Sequence, residues 1–347
     1  MKSSAQQSLI GAVRGFAQRH VAPPLEPVTR LDSVTPLEPV TPLDPVTPLE
    51  PRRKAVCVAL SGGADSLALT AAAVRAGLDV TALVVDHGLQ EGSAEIAAAA
   101  AECARGLGAR ARVLTVEVDG PGGPEAAARA ARYAALDSAR DGRPVLLGHT
   151  LDDQAETVLL GLGRGSGARS LAGMTAWNDP WGRPFLGIRR AQTARMCREL
   201  GLAPWDDPHN RDGRFTRARL RHEVLPLLDD VLGGGVPEAL ARTADQLRAD
   251  ARALEAFAAD LLERARTSGG VAVRELAAAP TAVRSRTLRS WLIESGAVEP
   301  SARLVAQVDA LVVAWHGQGP VAVGGDAEAR LVVTRRASEL IAEYVRR

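Results

Sequence analysis

Residues 61–66, with the sequence SGGADS, constrain the fold of this chain more than any other segment. The apolar run at 56–60 before them predicts a buried strand, and residues 67–75 after them predict a helix that ends at Gly77. A strand, a two-glycine turn and the start of a helix direct several backbone N–H groups toward one concave surface, at the positive end of the helix. The SGGADS turn therefore predicts an anion site on an α/β fold.

The side chains of the SGGADS turn favour a nucleotide as the anion. Ser61 and Ser66 add hydroxyl donors, and Asp65 can hold a Mg²⁺ ion that bridges phosphates. The chain contains no G-x-x-x-x-G-K-[ST] pattern, and its two lysines are Lys2 and Lys54, so P-loop kinases and GTPases are excluded. A plain strand-to-helix connection is the alternative, but the Asp-Ser ending and the apolar strand favour nucleotide binding.

Composition limits the class of protein. The 347 residues suffice for two domains, and 46% hydrophobic with 24% charged residues is typical of a globular protein. With a net charge of +1, any nucleic acid must be bound by a local basic patch. Cys57, Cys103 and Cys197 form no C-x-x-C pair and are expected to be reduced. Without a long apolar run or a signal pattern, the sequence predicts a cytoplasmic protein with no membrane association.

The first 53 residues predict two segments. Residues 1–23 contain an amphipathic helix from about Ser8 to His20. Residues 24–53 form a linker of Val-Thr-Pro-Leu-Glu/Asp-Pro units, for which we expect an extended, polyproline-II-like conformation. A proline-rich ligand for another domain is the alternative, but a passive insertion is favoured, and no protein partner is implied.

The rest of the chain predicts two domains. Residues 54–232 alternate predicted strands at 56–60, 80–85, 113–118 and 144–147 with helices at 67–75, 95–107 and 125–140. This order predicts an α/β domain with a parallel sheet and helices on both faces, which binds ligands beyond the carboxyl ends of its strands. After the glycines at 233–235, residues 236–347 predict a smaller, mainly helical domain. Its predicted elements are helices at 237–266, 282–294 and 302–314 and a terminal hairpin of strands 321–323 and 329–333.

Acidic residues follow the fourth predicted strand. His149, Asp152, Asp153 and Glu156 lie at a strand end that continues into a helix, and Asp152 shares a helical face with Glu156. Three acids and a histidine at such a position favour a Mg²⁺ or an ammonium site. An acidic first turn stabilised by the helix dipole is the alternative.

Three further segments carry weaker signals. Asp86 and His87 end the second predicted strand, where they contact a ligand or only form a turn. The glycine-rich residues 161–167 are a candidate phosphate-facing loop. The third segment predicts a helix that carries Arg214, Arg217 and Arg221 on one face. Such an arginine stripe suits RNA phosphates, and a solvated face in an arginine-rich chain is the alternative.

Together these segments resemble the PP-loop ATP pyrophosphatases, and among them the tRNA(Ile)-lysidine synthetases. The matching pieces are SGGADS at 61–66, DHGL at 86–89, AARY at 130–133, residues 148–167 ending in RGSG, residues 173–174 and 183–184, and residues 207–226. The resemblance spans about residues 55–228 and is weak beyond them. Gln90 stands where the family usually has arginine, and Ala218 where it usually has asparagine, so contacts with tRNA or nucleotide stay open at both positions.

The resemblance implies a ligase that forms a C–N bond. ATP would activate the C2 carbonyl oxygen of the wobble cytidine of tRNA(Ile) with a CAU anticodon, giving an adenylated base and pyrophosphate. Free L-lysine would then attack C2 through its ε-amino group and expel AMP. The implied cofactors are ATP and Mg²⁺.

The resemblance also implies roles for individual residues. The catalytic set is Asp65, Asp86, His149, Asp152, Asp153, Glu156 and Arg183. The ATP-binding set is Ser61, Gly62, Gly63, Ala64, Asp65, Ser66 and Arg164. The tRNA-binding set is Arg214, Arg217 and Arg221, and the Mg²⁺ ligands are Asp65 and Asp152. Which acid binds Mg²⁺ and which binds the lysine ammonium group stays open.

Two rival functions are weighed against this one. A tRNA thiolase would normally use paired cysteines or a metal cluster, which the three scattered cysteines do not favour. A protein that only binds RNA or senses adenine nucleotides would not need an acidic cluster beside the SGGADS turn.

Overall fold

The computed structural model describes residues 3–22, 53–88, 90, 92–119, 123–165 and 167–346. The proline-rich repeat at 24–51 lies outside the described residues, as do Leu89 and Ser166 of the sequence motifs. The chain divides into two units, Met1–Ala244 and Asp245–Arg347, and the long helix α10 (Val236–Ala265) contributes residues to both.

The described residues of the first unit form a six-stranded sheet with surrounding helices. Its strands are β1 (Ala55–Ala59), β2 (Asp79–Asp86), β3 (Arg110–Thr115), β4 (Val145–Leu146), β5 (Trp177–Asn178) and β6 (Trp181–Gly182). Its other helices are α1 (Ser4–His20), α2 (Ala64–Arg75), α3 (Ser93–Gly106), α4 (Pro124–Ala139), α5 (Leu151–Gly163), α6 (Gly167–Leu171), α7 (Arg190–Glu199), α8 (Thr216–Arg219) and α9 (Leu225–Val231). A 3₁₀ turn (Pro208–Arg211) and a π-helical segment (Leu220–Val224) lie next to α8.

The sheet confirms the predicted parallel architecture. Its strand order is β3-β2-β1-β4-β6-β5, and every neighbouring pair is parallel except β5 with β6. The prediction of β3 at 113–118 was wrong by three residues. Its partner β2 ends at Asp86, whose carbonyl accepts the N–H of Val116. The predicted run at 113–118 therefore extends beyond the last residue with which it can pair. The short strands β5 and β6 were not predicted.

Strand β1 explains why helices cover both faces of the sheet. Val56 and Val58 point into one core cluster, and Cys57 and Ala59 into another. All four are buried, and burying one valine contributes about 1.5–3 kcal/mol. A strand with no solvent-facing side is placed near the middle of the sheet, and the SGGADS turn is carried at its carboxyl end.

Helix α1 belongs to the first of these cores. It begins one turn earlier than predicted, because Ser3 caps it by accepting the N–H of Gln6. Its buried Phe16 packs where a Cβ on Gly182 would come within 2.5 Å of the ring, so the glycine of β6 makes room for this helix. The Lys54 ammonium donates to the carbonyl of Ala17 at 2.9 Å, which places the end of α1 beside the start of β1.

The second unit combines helices with an antiparallel sheet. Beyond the end of α10, its helices are α11 (Val273–Ala278), α12 (Thr281–Glu294) and α13 (Ala302–Val313), and its strands are β7 (Val271–Ala272), β8 (Val321–Gly325), β9 (Ala329–Arg336) and β10 (Glu339–Arg346). The three predicted helices are confirmed. The predicted hairpin is part of a larger sheet ordered β7-β10-β9-β8, because β10 pairs with β9 along its whole length and buries Leu340.

No helix within the described part of the chain is both long and apolar enough to cross a membrane.

Candidate active site

The SGGADS turn has the geometry of an anion cradle. Gly62 has φ of +82°, a left-handed conformation that favours glycine. The Ser66 hydroxyl donates to the carbonyl of Gly63 at 2.9 Å and accepts the N–H of Ser61 at 3.2 Å. Helix α2 starts at Ala64 without a side-chain cap, so N–H groups of its first turn can bind an anion.

Strand β4 reaches this turn through Gly148. A Cβ on Gly148 would lie 3.1 Å from the backbone carbon of Asp65 and the nitrogen of Ser66, so only glycine permits this close approach. The approach brings the end of β4, where His149 follows, against the SGGADS turn.

A cavity of about 760 Å³ lies beside the SGGADS turn. Its volume is within the range of small-molecule sites. Of the predicted site residues, five line it: Ser61, Asp86, His149, Arg217 and Arg221. Gln90 and Ala218, the two departures from the family pattern, also line it.

Two histidines follow the ends of β2 and β4, and each has a buried ring nitrogen. Nδ1 of His87 and Nδ1 of His149 are buried and have no hydrogen-bond partner among the described residues. Burial lowers the pKa of His149 to about 4, and the positive charge of Arg183 acts in the same direction against the opposing Asp153. Burial also lowers the pKa of His87. Both rings are therefore neutral at pH 7 and can each offer a ring nitrogen to a ligand.

Arg190, at the start of α7, brings the predicted acids together. Its guanidinium lies 3.3 Å from Asp65 Oδ2, 2.6 Å from Asp153 Oδ1 and 3.3 Å from Glu156 Oε1. Its backbone N–H donates to Asp152 Oδ2 at 2.7 Å. One residue thus contacts four of the five acids that the sequence analysis selected, and Asp86 is the fifth.

Two more arginines complete what we name the acid–arginine cluster: Asp65, Asp152, Asp153, Glu156, Arg189, Arg190 and Arg221. Arg221 donates two hydrogen bonds to the Glu156 carboxylate, from Nε to Oε1 at 2.8 Å and from Nη2 to Oε2 at 3.2 Å. Arg189 lies 3.2 Å from Asp152. Four carboxyl groups thus meet three guanidinium groups within this cluster.

The acids of the cluster differ in ionisation and access. Burial raises the pKa of Asp65, although the Thr193 hydroxyl and Arg190 act against it. Burial has the same tendency at Asp153, but Arg190 and the Thr150 hydrogen bonds outweigh it and hold the pKa of Asp153 below its usual range. Asp153 also caps α5, since its carboxylate accepts the Thr150 N–H at 2.8 Å. Glu156 is fully buried, whereas the Asp152 side chain is 17% exposed.

The predicted arginine stripe is wrong as a helical face. Arg214 lies in the turn before α8, is 84% exposed and pairs with Asp212. Arg217 lines the cavity from α8, and Arg221 reaches the acid–arginine cluster from the π-helical segment. A π turn is wider than an α turn, so arginines four residues apart diverge from ideal helical spacing. Their contacts with tRNA stay a prediction.

The two remaining predicted arginines are Arg164 and Arg183. Arg164 is the exposed residue that ends α5 and does not line the cavity. Arg183 donates to the carbonyl of Thr175 at 3.1 Å, and its buried Nε has no partner among the described residues.

The donor set for Mg²⁺ is small. Among the described residues, no group of three or more His, Cys, Asp or Glu side chains is placed to hold a metal ion. In nucleotide sites, Mg²⁺ needs only one or two carboxylates, because phosphate oxygens and water supply its other ligands. Asp65 and Asp152 as the ligands of Mg²⁺ stay a prediction, and both carboxylates contact Arg190 in this structure.

Sequence reasoning missed two of the three cations of the acid–arginine cluster. Arg189 and Arg190 lie outside every motif that was selected, and Arg132, in the AARY segment, lines the cavity without a predicted role. One signal was available: four clustered acids require nearby cations, and an Arg-Arg pair at a helix start is a candidate source.

Comparison with known proteins gives two family matches and many relatives. Residues 42–228 match the family model described as the PP-loop domain, and residues 271–340 match the TilS substrate binding domain. A tRNA(Ile)-lysidine synthase from Nocardia farcinica is 64% identical over 82% of this chain and 91% of its own length. Those from Rhodococcus erythropolis and Mycobacterium tuberculosis are 61% and 58% identical, over 83% and 82% of this chain and 90% and 89% of their own lengths.

Proposed function

Because the chain belongs to the tRNA(Ile)-lysidine synthase family, which are ligases with a PP-loop ATP-binding domain, we propose that it joins free L-lysine to the wobble cytidine of tRNA(Ile) with a CAU anticodon. Formation of lysidine on tRNA with the use of ATP follows from that membership. The bond changes and the side chains that carry them out are the proposal.

The first step activates the base. The C2 carbonyl oxygen of the cytidine attacks the α-phosphorus of ATP, an O–P bond forms, the bond to the bridging oxygen of the β phosphate breaks, and pyrophosphate leaves. The SGGADS turn binds the departing pyrophosphate through backbone N–H groups and the hydroxyls of Ser61 and Ser66. The observation that carries this proposal is the position of that turn on the wall of a 760 Å³ cavity, beside a buried cluster of acids.

The base must leave its stack to reach this cavity. Bases in single-stranded anticodon loops can be splayed out and held by stacking and by hydrogen bonds to their edges. The cavity offers Tyr133 and Ile96 for packing and the neutral rings of His87 and His149 for hydrogen bonds. Arg217 lines the same cavity, and we assign it to phosphate charge.

The second step transfers lysine. The ε-amino group attacks C2, a C–N bond forms, the C2–O bond to the adenylate breaks, and AMP leaves. The amine loses a proton, and the unpartnered Nδ1 of His149 is the acceptor we assign. AMP is a far better leaving group than the bare carbonyl oxygen of cytosine, which explains why the reaction needs ATP.

The acid–arginine cluster binds the α-ammonium of lysine. Its four acids outnumber its three guanidinium groups, so the cluster is suited to a cationic group such as the α-ammonium. Mg²⁺, held by Asp65 and Asp152, would neutralise phosphate charge. Because Glu156 is enclosed by Arg190 and Arg221, we assign it to the electrostatics of the cluster and direct contact with lysine to its less buried acids.

The test is reconstitution with defined substrates. Purified protein is incubated with tRNA(Ile) bearing a CAU anticodon, ATP and isotope-labelled lysine, and nucleosides are analysed by mass spectrometry. We expect labelled lysidine at the wobble position, with one AMP and one pyrophosphate released per lysidine. Label elsewhere in the tRNA, or release of ADP and phosphate, would contradict the proposal.

A further inference from the structure

Helix α7 contacts the SGGADS turn along one face. Arg190, Thr193 and Cys197 are three and four residues apart, a spacing that places them on the same side of a helix. Arg190 Nε lies 3.3 Å from Asp65 Oδ2, the Thr193 hydroxyl donates to Asp65 Oδ1, and Cys197 Sγ donates to the carbonyl of Ala64 at 3.3 Å. Three side chains of one helix thus hold two consecutive residues of the turn.

We propose that Thr193 is a positioning residue for the reaction, whose hydroxyl fixes the Asp65 carboxylate in the orientation that it needs at the ATP phosphates. This inference rests on the proposed function, in which Asp65 acts on those phosphates. Thr193 itself is fully buried, so it is assigned to act through Asp65.

The hydroxyl of Thr193 has a choice of acceptors. Besides Asp65 Oδ1, the carbonyl oxygen of Arg190 lies within reach, at 2.7 Å. A hydroxyl has a single proton and can serve one acceptor at a time. A carboxylate is a stronger acceptor than a backbone carbonyl, so the proton is directed toward Asp65. The β-branched side chain has few χ1 rotamers, which fixes the position of the hydroxyl oxygen.

Without this hydrogen bond, Asp65 has a competing partner. Its other carboxylate oxygen already contacts Arg190, and a guanidinium binds a carboxylate best with two parallel hydrogen bonds. Rotation of the carboxylate toward Arg190 would form that pair and turn both of its oxygens away from the phosphates. Thr193 opposes this rotation by holding Oδ1.

Cys197 holds the backbone of the SGGADS turn at Ala64. Burial raises the pKa of its thiol to about 11, so it stays protonated at neutral pH and remains a donor to Ala64. Cys197 therefore holds the backbone next to Asp65 independently of the Asp65 side chain. The Thr193 hydroxyl orients the carboxylate itself.

Two variants of Thr193 separate positioning from packing. Thr193→Val keeps the volume and removes the hydroxyl, whereas Thr193→Ser keeps the hydroxyl and removes a methyl group. We expect Thr193→Val to lower kcat/KM for ATP by about ten- to hundred-fold, with the KM for lysine unchanged, and Thr193→Ser to stay within about three-fold. If packing is the role of Thr193, the order reverses, because the serine variant leaves a cavity. If Thr193→Val does not fold, Thr193→Ala with the serine variant gives the same comparison.

Thr287 provides the matched control. It is also fully buried on a helix, α12, and its hydroxyl oxygen lies 3.1 Å from the carbonyl oxygens of both Ala258 and Val283. Thr287→Val and Thr287→Ser should shift the melting temperature and leave the KM for ATP unchanged. If the parent protein makes no lysidine, the proposed function fails. If the parent is active and Thr193→Val equals it, the inference about Thr193 alone is overturned.

Discussion

The SGGADS turn and the acid–arginine cluster meet at Asp65 but are built in opposite ways. The turn is one contiguous segment, and its shape follows from its own glycines and from the strand and helix beside it. The cluster takes its acids from α2 and α5 and its cations from α7 and from the π-helical segment. The turn therefore depends on local backbone geometry, whereas the cluster depends on tertiary packing to balance its charge.

Neutralising Asp65 should have the largest effect, because this residue belongs to both regions. Asp65→Asn keeps the shape of the side chain and its contact with Thr193 but removes the charge. We expect lysidine formation to fall at least about 100-fold, the size typical for removing an electrostatic group at a reacting phosphate. Steady-state rates and a melting curve measure both effects.

The control for Asp65 is Asp137→Asn. Asp137 is an exposed aspartate on α4 that pairs with Arg140, and its loss should change neither the rate nor the melting temperature. If Asp65→Asn forms lysidine at the parental rate, the assignment of Asp65 to the phosphates is wrong.

Removing Arg190 should damage the cluster more than the turn. Arg190→Gln leaves three carboxylates without their shared cation, and breaking a buried pair in this way costs about 3 kcal/mol of stability. We expect Arg190→Lys to recover part of this loss, since a lysine restores the positive charge but not the planar set of guanidinium donors. Denaturant unfolding measures the effect.

The pH dependence of that loss has a definite sign. Since Arg190 holds the pKa of Asp153 below its usual range, ionised Asp153 stabilises the fold above pH 4, and this contribution disappears as the pH falls through the folded-state pKa. Arg190→Gln removes the contribution, so its cost should be constant from neutral pH down to about pH 4 and shrink as the pH falls below that value. A cost that grows on acidification would contradict this electrostatic account.

Removing one charge from the cluster should weaken lysine binding. Glu156→Gln keeps the side-chain shape and lowers the negative charge of the cluster by one, which weakens its attraction for the α-ammonium. We expect the KM for lysine to rise about ten-fold and the KM for ATP to change little. The measurement is steady-state kinetics with lysine and ATP varied separately.

Glu238→Gln is the matched control for Glu156. Glu238 pairs with Arg189 at 2.7 Å but is not one of the four acids of the cluster. Its substitution should leave the KM for lysine unchanged. If Glu156→Gln raises only the KM for ATP, the cluster serves the phosphates and the division of roles is wrong.

The same contrast explains what the sequence could predict. Strands β1 and β2 and helix α2 were predictable because continuous apolar runs and glycine turns are local signals. The acids of α5 were predictable because they share one helical turn. Arg190 and Thr193 were not, since their importance arises only when α7 packs against α2 and brings them to Asp65.

Replacing the proline-rich repeat should have the smallest effect. The Lys54–Ala17 hydrogen bond places the two ends of the segment between α1 and β1 side by side, so no long connection is needed to join them. Replacing residues 24–51 by a short Gly-Ser linker should keep activity within a few-fold, and each halving of a loop lowers its closure cost by only about 0.6 kcal/mol. Deleting residues 1–53 should be far more damaging, because α1 then no longer covers the core with Leu9, Val13 and Phe16. Lysidine formation and melting temperature of the two deletions decide the matter: a short-linker variant that melts like the parent but is inactive would show that the repeat has a function of its own.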